Sequence, residues 1–490
     1  MNRKDQVVKH NDNCYVLPRS GTMKTDVTAF LSEDLFTSSE DEMWNQAYNQ
    51  ASYEGVTGAY LMPDCHTGFG VAIGSVVVTD DTLIQSCNGY DISCGILHMK
   101  VPNLTAQHIR SYHKREQWVN EVEKRVATGI GTDRPELMPV YSKTQAEEIL
   151  RYGAKALGVD AALCERQYIP VPEGVDLSKI DKAYGKVIPQ LGSVGGGNHF
   201  IEMQVDPVDG QVWVMIHCGS RGYGHQTADY FFHEAAKVRG LPVNMREASH
   251  LKLDEPLGKM YWDYCSSAAN FAVANRHIIV NGVNESLEEI FGCRGEVYYE
   301  ISHNLVQQET LVLPDGTTKK GFVHRKGATR AFPAGHPDLV GTAWEKTGHP
   351  CLIPGSMFEG AAILFPQPEA YKSACSVNHG SGRILGRKEA QRKLEHKQQR
   401  IDDEMRHVQR DFAGVQVEGI VSNCKHIPLD ECAHVYKDLN AVLEVLEKEN
   451  IAKVAHRLYP VANMKGDDEG KKAFKNKQRD KAKDHRRNQD

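Results

Sequence analysis

The stretch VWVMIHCGSRGYGH, Val212 to His225, runs from an apolar, β-rich segment directly into a polar loop rich in glycine. Between Gly192 and Arg383 the same pattern recurs in EVYYEISHNL, GFVHRKGATRAF and CLIPGSMFEGAAIL. Strands that end in loops bearing His, Ser, Asn, Arg and Gly are where enzymes usually place their chemistry. The pattern therefore predicts a catalytic domain built on short strands.

Apolar residues at helical spacing predict helices on both sides of this section. Two helical stretches are expected between residues 104 and 158, one charged helix over 387–412, and another helix around 439–446. Near the start, GAYLMPDCH is expected to be a loop that leads into a glycine-punctuated strand. Because the polar loops are spread over most of the chain, we expect one large α+β domain over residues 1–466.

The composition is that of a soluble protein that works inside the cell. The 490 residues carry a net charge of -6, with neither an N-terminal apolar leader nor a run long enough to span a bilayer, so a cytoplasmic protein is expected. The 12 cysteines lack any C-x-x-C pair and are expected to be reduced. Residues 467–490 are basic and poor in apolar side chains, which predicts a disordered tail that either solubilises the protein or binds phosphate.

Four histidine loops and one Asp/Cys pair are candidates for metal chemistry. They are GSVGGGNHFIE with His199, MIHCGSRG with His217, EISHNL with His303, VNHGSGR with His379, and YDISC with Asp91 and Cys94. Any one of these histidines is more often a buried residue with satisfied hydrogen bonds than a ligand. Together, imidazole, thiolate and carboxylate suit Mn, Fe, Co or Zn, and the neighbouring glycines allow backbone N–H groups to approach a phosphate. The set points to a phosphate-bearing substrate.

Two familiar nucleotide motifs are missing. The chain has no G-x-x-x-x-G-K-[ST], which excludes a P-loop protein. Lysine-dependent nucleotidyl transferases carry K-x-D-G, and KGDDEG at Lys465 lacks glycine in the fourth place. If a nucleotide is transferred covalently, a different nucleophile is required.

A series of longer motifs carries a family resemblance. In chain order these are PDCHTGFG, NGYDISCG, GGGNHFIE, IHCGSRGYGHQ, SHNL, HRKGATRAF, PGSM, NHGSGR, YKDL and MKG. In these motifs and their order, the chain resembles the RtcB family of RNA-splicing ligases from Pro63 to Gly466. The motifs are long and specific, so chance does not explain them.

The resemblance implies an RtcB-like catalytic domain with a central polar, metal-containing pocket. Proteins of this family are Mn²⁺- and GTP-dependent ligases that join an RNA 2′,3′-cyclic phosphate or 3′-phosphate end to a 5′-hydroxyl end. The expected partners are therefore such RNA ends, for which tRNA is one candidate, and GTP, with an accessory protein as a further possibility and no membrane.

The family pattern also implies roles for individual residues. Asp91, Cys94 and His199 would hold one Mn²⁺, while Cys94, His217 and His303 would hold the second. His379 would accept GMP. The residues implied around the nucleotide are Asn198, His199, Phe200, Ile201, Glu202, His303, Asn304, Pro354, Gly355, Ser356, Met357, His379, Gly380, Ser381, Gly382, Tyr436 and Lys465.

Within that set, Glu202 and Lys465 are expected to recognise or position guanine, and Tyr436 to pack against the base. Asp64 and Arg221 are candidates for catalysis or for contacting an RNA phosphate, and a purely structural role is the alternative for each.

Two departures from the family pattern concern nucleotide affinity and RNA-end preference. Thr67 follows PDCH where the family commonly has a bulky residue, and Ala361 stands where a serine could contact the nucleotide. Neither departure touches a proposed metal ligand or the nucleophile.

Two other functions use some of the same residues. A dinuclear metal phosphoesterase would need the five metal ligands but not His379 or Lys465. A non-catalytic RNA-binding relative would be favoured if ligands had been lost, and all five ligand positions are present.

Overall fold

Two large sheets organise the protein. The computed structural model describes residues 2–129, 135–137, 139, 141–313 and 315–466, so the predicted basic tail lies outside the described residues. The strands are β1 Val8–Asn11, β2 Cys14–Leu17, β3 Val27–Phe30, β4 Val56–His66, β5 Ile73–Thr79, β6 Thr82–Leu83, β7 Gly95–Thr105, β8 Phe200–Val205, β9 Gln211–Cys218, β10 Leu251–Lys252, β11 Glu296–Ser302, β12 Asn304–Val312, β13 Thr318–Lys326, β14 Ala328–Arg330, β15 Cys351–Pro354, β16 Ala361–Pro366, β17 Ser376–Asn378, β18 Gln409–Phe412, β19 Val415–Glu418, β20 Val421–Ser422 and β21 Ala452–Lys465.

The helices pack around these sheets and confirm the predicted α+β class. They are α1 Glu33–Thr37, α2 Asp41–Gln50, α3 Tyr112–Arg125, α4 Lys143–Tyr152, α5 Asp181–Tyr184, α6 Val187–Gln190, α7 Arg221–Val238, α8 Pro256–Phe291, α9 Arg387–Leu394, α10 Gln398–His407 and α11 Leu439–Lys448.

The strand order separates the two sheets. The first sheet runs β1-β2-β3-β4-β5-β13-β12, and the second runs β11-β7-β9-β8-β21-β16-β15 with β20 paired to β21. Neighbouring strands are antiparallel except for the β3/β4 and β20/β21 pairs. His303 is the single residue between β11 of the second sheet and β12 of the first. It therefore lies where the chain crosses from one sheet to the other.

The register of the second sheet brings several strand ends to one edge. Gly95 at the start of β7 lies opposite Ser302, the last residue of β11, and opposite Cys218, the last residue of β9. Phe200 at the start of β8 lies opposite His217. Because these pairings fix the four strands relative to one another, the residues just before and after them must meet.

Helix α8 spans 36 residues and is buried along most of its length. Pro256 begins it at the first helical position, and Gly292 ends it in the left-handed conformation with φ +67°. Its earlier part, from Tyr261 to Ile278, packs with α4 and α7, and its later part, from Ile279 to Leu287, packs with α3 and the second sheet. A helix buried all round has no single apolar stripe, which explains why periodicity did not predict it. Among helices of the described residues, none is long and apolar enough to cross a membrane.

Two expectations about local structure are wrong. The predicted helix over 387–412 is broken: α9 ends at Leu394, a 3₁₀ turn follows, and Phe412 closes strand β18. Leu394, Ile401, Met405 and Val408 still pack in one small core, whereas Phe412 packs in the core of the second sheet. The spacing therefore predicted the buried face of the two short helices but not the break between them.

The second correction concerns GAYLMPDCH, which belongs to strand β4 rather than to a loop. The pairing of β4 with β5 is irregular between Leu61 and His66, and Pro63 lies in that irregular segment. A proline is tolerated there because the ladder does not need its missing N–H.

The other expected elements are present. The two helices expected between 104 and 158 are α3 and α4, and the helix around 439–446 is α11. All twelve cysteines fall within the described residues and are free, and ten of them are buried.

Candidate active site

Four side chains at strand ends form a buried cluster, hereafter the ligand cluster: Cys94, His199, His217 and His303. Cys94 and His199 each come immediately before a strand, β7 and β8, while His217 lies near the end of β9 and His303 follows β11. The backbone N–H of His303 donates to the carbonyl of Cys94 at 2.8 Å, which ties the two loops together. All four side chains are buried.

The distances in the ligand cluster are those of groups that share a cation. Cys94 Sγ lies 3.3 Å from His199 Nε2 and 3.2 Å from His217 Nε2, and the Nε2 atoms of His217 and His303 are 3.4 Å apart. Two ligand atoms bound at about 2.0–2.3 Å to one ion lie about 3 to 3.6 Å from each other. The sulfur and the three Nε2 atoms therefore fit metal binding.

Asp91 completes the cluster on the side of His199. Its Oδ2 lies 2.9 Å from His199 Nε2, the same nitrogen that faces Cys94. The backbone N–H of Ser220 donates to Oδ1 at 3.2 Å and holds the carboxylate in place. A Cβ on Gly219 would lie 2.3 Å from the same carboxylate, so only glycine permits this approach.

The pKa values of these side chains show which protons a bound cation would have to displace. Burial raises the pKa of the Cys94 thiol to about 12. Burial and the neighbouring imidazoles hold the pKa of both His217 and His303 well below the ordinary value, so these two are neutral ligands. For His199, burial lowers the pKa, but the adjacent thiols and Asp91 raise it by more. The pKa of His199 therefore lies well above 6.5. A bound divalent cation would replace the protons of Cys94 and His199, so its affinity rises with pH.

His379 lies beside the ligand cluster and is oriented by a buried carboxylate. Its ring centroid is 5.1 Å from that of His303. Its Nδ1 lies 2.6 Å from Oδ2 of Asp64, a residue with no exposed surface. The backbone N–H groups of His379 and Gly380 also donate to this oxygen, each at 3.2 Å. With Nδ1 bound to the carboxylate, Nε2 is the ring atom left for other chemistry.

The glycine-rich loop after His379 is shaped by Asp64 as well. Gly382 has φ +75°, and a Cβ on it would lie 2.1 Å from the carbonyl oxygen of Asp64. A side chain here would meet both a conformational and a steric penalty. The loop thus turns tightly against the strand that carries Asp64.

A cavity of about 150 Å³ lies against His217 and His379. Most residues expected at the nucleotide line it: Asn198, Phe200, Glu202, Pro354, Gly355, Ser356, Met357, His379, Gly380, Ser381, Gly382, Tyr436 and Lys465. A larger cavity of about 450 Å³ borders the first sheet near Cys14 and Tyr60, and no expected site residue lines it. The convergence of polar groups, rather than volume, identifies the smaller cavity as the candidate site.

Glu202 and Lys465 both line this cavity, but their side chains have different partners. Glu202 accepts hydrogen bonds from Gln204 at 2.7 Å and Asn463 at 2.8 Å, and burial raises its pKa to about 7. Lys465 lies 3.4 Å from Glu431. Both side chains are almost fully buried, so any bound group that reaches them is taken out of water.

Besides Asp64 and the metal ligands other than His217, the predicted residues Ile201, Asn304 and Arg221 do not line the cavity. Ile201 points to the opposite face of β8 and is fully buried in the core beneath the sheet. Asn304 accepts from the N–H of Gly327 at 2.7 Å and so joins two loops. Arg221 begins α7 and donates to Ser193 Oγ at 3.1 Å and to the carbonyl of Gly129. In the structure all three make local contacts that shape the site's surroundings.

The two departures noted in the sequence also have defined positions. Ala361 lies in β16, fully buried in an apolar cluster, and does not line the cavity. The N–H of Thr67 donates to Glu40 at 2.8 Å beside the loop that follows β4.

Glu431 was missed by the sequence reasoning and organises one end of the cavity. Its carboxylate accepts from the Tyr436 hydroxyl at 2.7 Å and lies 3.4 Å from Arg383. Arg387 is 4.0 Å away. Burial would raise the pKa of Glu431, but Lys465 and the arginines lower it below the ordinary value. The available signal was weak, because DEC precedes the recognised YKDL motif by several residues.

A buried ion pair beneath the ligand cluster was also missed. Arg276 on α8 pairs with Glu300, and neither side chain has exposed surface. Nη1 of Arg276 donates to the carbonyls of Ser93 and Cys218, both at 2.7 Å, and each of these residues adjoins a member of the ligand cluster. The available signal was a single arginine in the otherwise uncharged segment CSSAANFAVANRHIIVNGV.

Comparison with known proteins agrees with this arrangement. The family described as "tRNA-splicing ligase RtcB" matches residues 46–466. A tRNA-splicing ligase RtcB of Thermococcus kodakarensis is 35% identical over 462 residues, covering 87% of this chain and 92% of the relative. That of Methanococcus maripaludis is 30% identical over 499 residues, covering 94% and 100%. The RNA-splicing ligase RtcB of Mycobacterium bovis is 30% identical over 453 residues, covering 86% and 100%. The chain therefore belongs to the RtcB family.

Proposed function

We propose that this protein is a GTP- and Mn²⁺-dependent RNA ligase that joins 2′,3′-cyclic phosphate or 3′-phosphate RNA ends to 5′-hydroxyl ends. The observation that carries the proposal is the placement of His379. Its Nδ1 is held by buried Asp64, its ring adjoins the ligand cluster, and it lines a cavity shared with Glu202 and Lys465. Residues 1–466 form the ligase domain in this proposal.

The ligand cluster would hold two Mn²⁺ ions with Cys94 as the shared ligand. Asp91 and His199 complete one site, and His217 and His303 the other. When bound, the ions polarise phosphoryl oxygens and offset the negative charge that repels a nucleophile from a triphosphate. The short contacts of Cys94 Sγ with two imidazoles support this division.

His379 is the proposed nucleophile in the first step. Nε2 attacks the α-phosphorus of GTP, a P–N bond forms, the α–β P–O bond breaks, and pyrophosphate leaves. The imidazole keeps its Nδ1 proton, so the phosphorylated ring is cationic. Asp64, at 2.6 Å from Nδ1, stabilises that positive charge and maintains the required tautomer.

The next two steps transfer GMP and join the RNA. An oxygen of the RNA 3′-phosphate attacks the phosphorus held by His379, the P–N bond breaks, and the RNA end becomes a diphosphate-linked guanylate. The 5′-hydroxyl of the second RNA then attacks the RNA 3′-phosphorus, loses its proton, and releases GMP. A cyclic phosphate end must first be opened by water to a 3′-phosphate.

The cavity residues have roles in nucleotide recognition under this proposal. The Glu202 carboxylate matches the N–H donors of guanine, and its neighbours Gln204 and Asn463 hold it in place. Tyr436, fixed by its hydrogen bond to Glu431, provides an aromatic surface for the base. Arg383 and Arg387 line the same cavity and provide positive charge near phosphate groups.

The test is incubation with Mn²⁺ and GTP labelled at the α-phosphate, followed by ligation of RNAs with defined ends. Wild-type protein should become labelled, and His379→Ala should not, while retaining bound Mn²⁺. His456→Ala is the matched control, because His456 also pairs with an aspartate but lies away from the cavity. Phosphoester cleavage without labelling would favour a dinuclear phosphoesterase. RNA binding with neither activity would favour a non-catalytic relative.

A further inference from the structure

A second buried group of potential metal ligands lies outside the cavity: Cys164, His277 and Glu300. Cys164 follows the 3₁₀ turn Ala161–Leu163, His277 lies on α8, and Glu300 lies on β11. The three residues therefore come from separate elements of the chain. One ligand atom of each lies within 4.8 Å of the other two.

The distance between two ligand atoms of this group is that expected around a bound cation. Cys164 Sγ lies 3.3 Å from His277 Nε2, the same separation as Cys94 Sγ and His199 Nε2 in the ligand cluster. A thiolate and an imidazole bound tetrahedrally to one zinc ion are about 3.5 Å apart. The ligand atoms of Cys164 and His277 therefore already lie at the separation expected of two ligands of one ion.

The Glu300 carboxylate gives an independent indication. One oxygen, Oε1, accepts from Nε of Arg276 at 2.8 Å. The other oxygen, Oε2, is fully buried and has no hydrogen-bond partner within the described residues. A buried carboxylate oxygen without a partner is costly, and such atoms in a native protein call for an unassigned partner.

We propose that Cys164, His277 and Glu300 form a structural zinc site. Thiolate, imidazole and carboxylate are established zinc ligands, and the thiolate favours zinc over magnesium or calcium. On binding, the Cys164 thiol releases its proton to solvent as the Zn–S bond forms. The thiolate and the carboxylate then carry two negative charges toward the ion, and Glu300 keeps its ion pair with Arg276.

A cavity of about 10 Å³ lies beside Glu300 and is also lined by Glu165 and Ser302, but not by Cys164 or His277. This volume suffices for about one water molecule. Water is the fourth ligand that the proposal adds to the three side chains. A water that only satisfies Oε2 is the alternative occupant, and the experiment below separates the two.

The position of this site suggests what it does for the protein. Glu300 anchors Arg276, and Arg276 holds the carbonyls of Ser93 and Cys218 under the ligand cluster. An ion on Glu300 would tie the segment containing Cys164 to this support. The site is structural: its ligands do not line the cavity that contains His379.

The experiment measures zinc in full-length Cys94→Ala protein, which lacks the shared thiolate of the ligand cluster but keeps its histidines. The protein is dialysed against Zn²⁺ and its metal content is determined by mass spectrometry. Cys94→Ala/Cys164→Ala should hold one zinc per chain fewer than Cys94→Ala, whereas Cys94→Ala/Cys265→Ala, which removes another buried thiol, should hold as much zinc as Cys94→Ala.

Two outcomes would overturn the proposal: absence of zinc in Cys94→Ala, or equal zinc content with and without Cys164. If Cys164→Ala impairs folding, His277→Asn gives a milder test and should weaken zinc binding at least about tenfold. Unchanged zinc affinity in His277→Asn would reject the site. Substitution with Co²⁺ in Cys94→Ala should add a thiolate-to-cobalt absorption band, and its absence would leave water as the partner of Glu300.

Discussion

Two of the histidine–aspartate pairs in the described residues have nearly equal geometry but different surroundings. His379 Nδ1 lies 2.6 Å from Asp64, and His456 Nδ1 lies 2.8 Å from Asp206. Asp64 is buried and also accepts two backbone N–H groups, while His379 lines the cavity beside the ligand cluster. His456 lies on β21, about one-third exposed, beside Trp213. Because the contact between histidine and aspartate is nearly the same in the two pairs, the surroundings of each pair must decide its chemistry.

Replacing each histidine is the strongest test of this comparison. His379→Ala should reduce GTP-dependent joining of 3′-phosphate RNA at least about 1,000-fold, because the nucleophile is lost. The same variant should still join RNA whose 3′-phosphate already carries GMP, measured by gel-based ligation. His456→Ala should perform both reactions. Equal losses in the two variants would mean that the cavity does not distinguish the pairs.

Replacing each aspartate tests orientation rather than nucleophilicity. Asp64→Asn should slow GMP labelling by about 100-fold or more, because the asparagine amide favours the wrong imidazole tautomer and leaves the cationic ring without a counter-charge. Asp206→Asn should label at the wild-type rate. The measurement is the single-turnover rate of labelling at saturating GTP. An undiminished rate in Asp64→Asn would assign Asp64 a purely structural role.

The cavity that distinguishes the first pair also contains Glu202, for which a pH effect is predicted. Burial raises its pKa from 4.5 to about 7, so between these pH values the folded protein retains a proton that the unfolded chain has lost. The stability that the folded protein gains from holding this proton is lost as the pH rises from 4.5 to above about 7. From pH 4.5 to 8, the free energy of unfolding of Glu202→Gln should gain about 3 kcal/mol relative to wild type.

Urea denaturation across this pH range measures the effect. Glu444→Gln, on an exposed position of α11, is the control and should follow wild type throughout. A constant difference between Glu202→Gln and wild type would show that the carboxylate is solvated in the folded protein.

The smallest expected effect concerns residues 467–490, which lie outside the described part of the chain. Truncation after Gly466 should weaken RNA binding several-fold at low salt and little at higher salt, because counterion release scales with the number of phosphate contacts. GMP labelling, which depends on His379, should be unchanged. RNA affinity equal at every salt concentration would favour a solubilising tail.

Much of the fold followed from local patterns, and the exceptions have physical reasons. Strand β9 was predicted because it is a continuous apolar, β-rich run, and helix α11 because its apolar residues keep helical spacing. Helix α8 lacked that signal because it is buried on all sides. The break after Leu394 was also missed, since two short helices can share an apolar face that looks continuous in sequence.

The available side chains could be named from the motifs alone: these include His379, Cys94 and the three histidines of the ligand cluster, and the same motifs identified the family. The surroundings of these side chains could be read only from the fold. In the fold, Asp64 accepts a hydrogen bond from His379, Glu431 lies at one end of the cavity, and Arg276 binds the backbone beneath two ligand loops. Residues more than 100 positions apart meet only through strand register and helix packing, and those long-range pairings leave no local pattern in the chain.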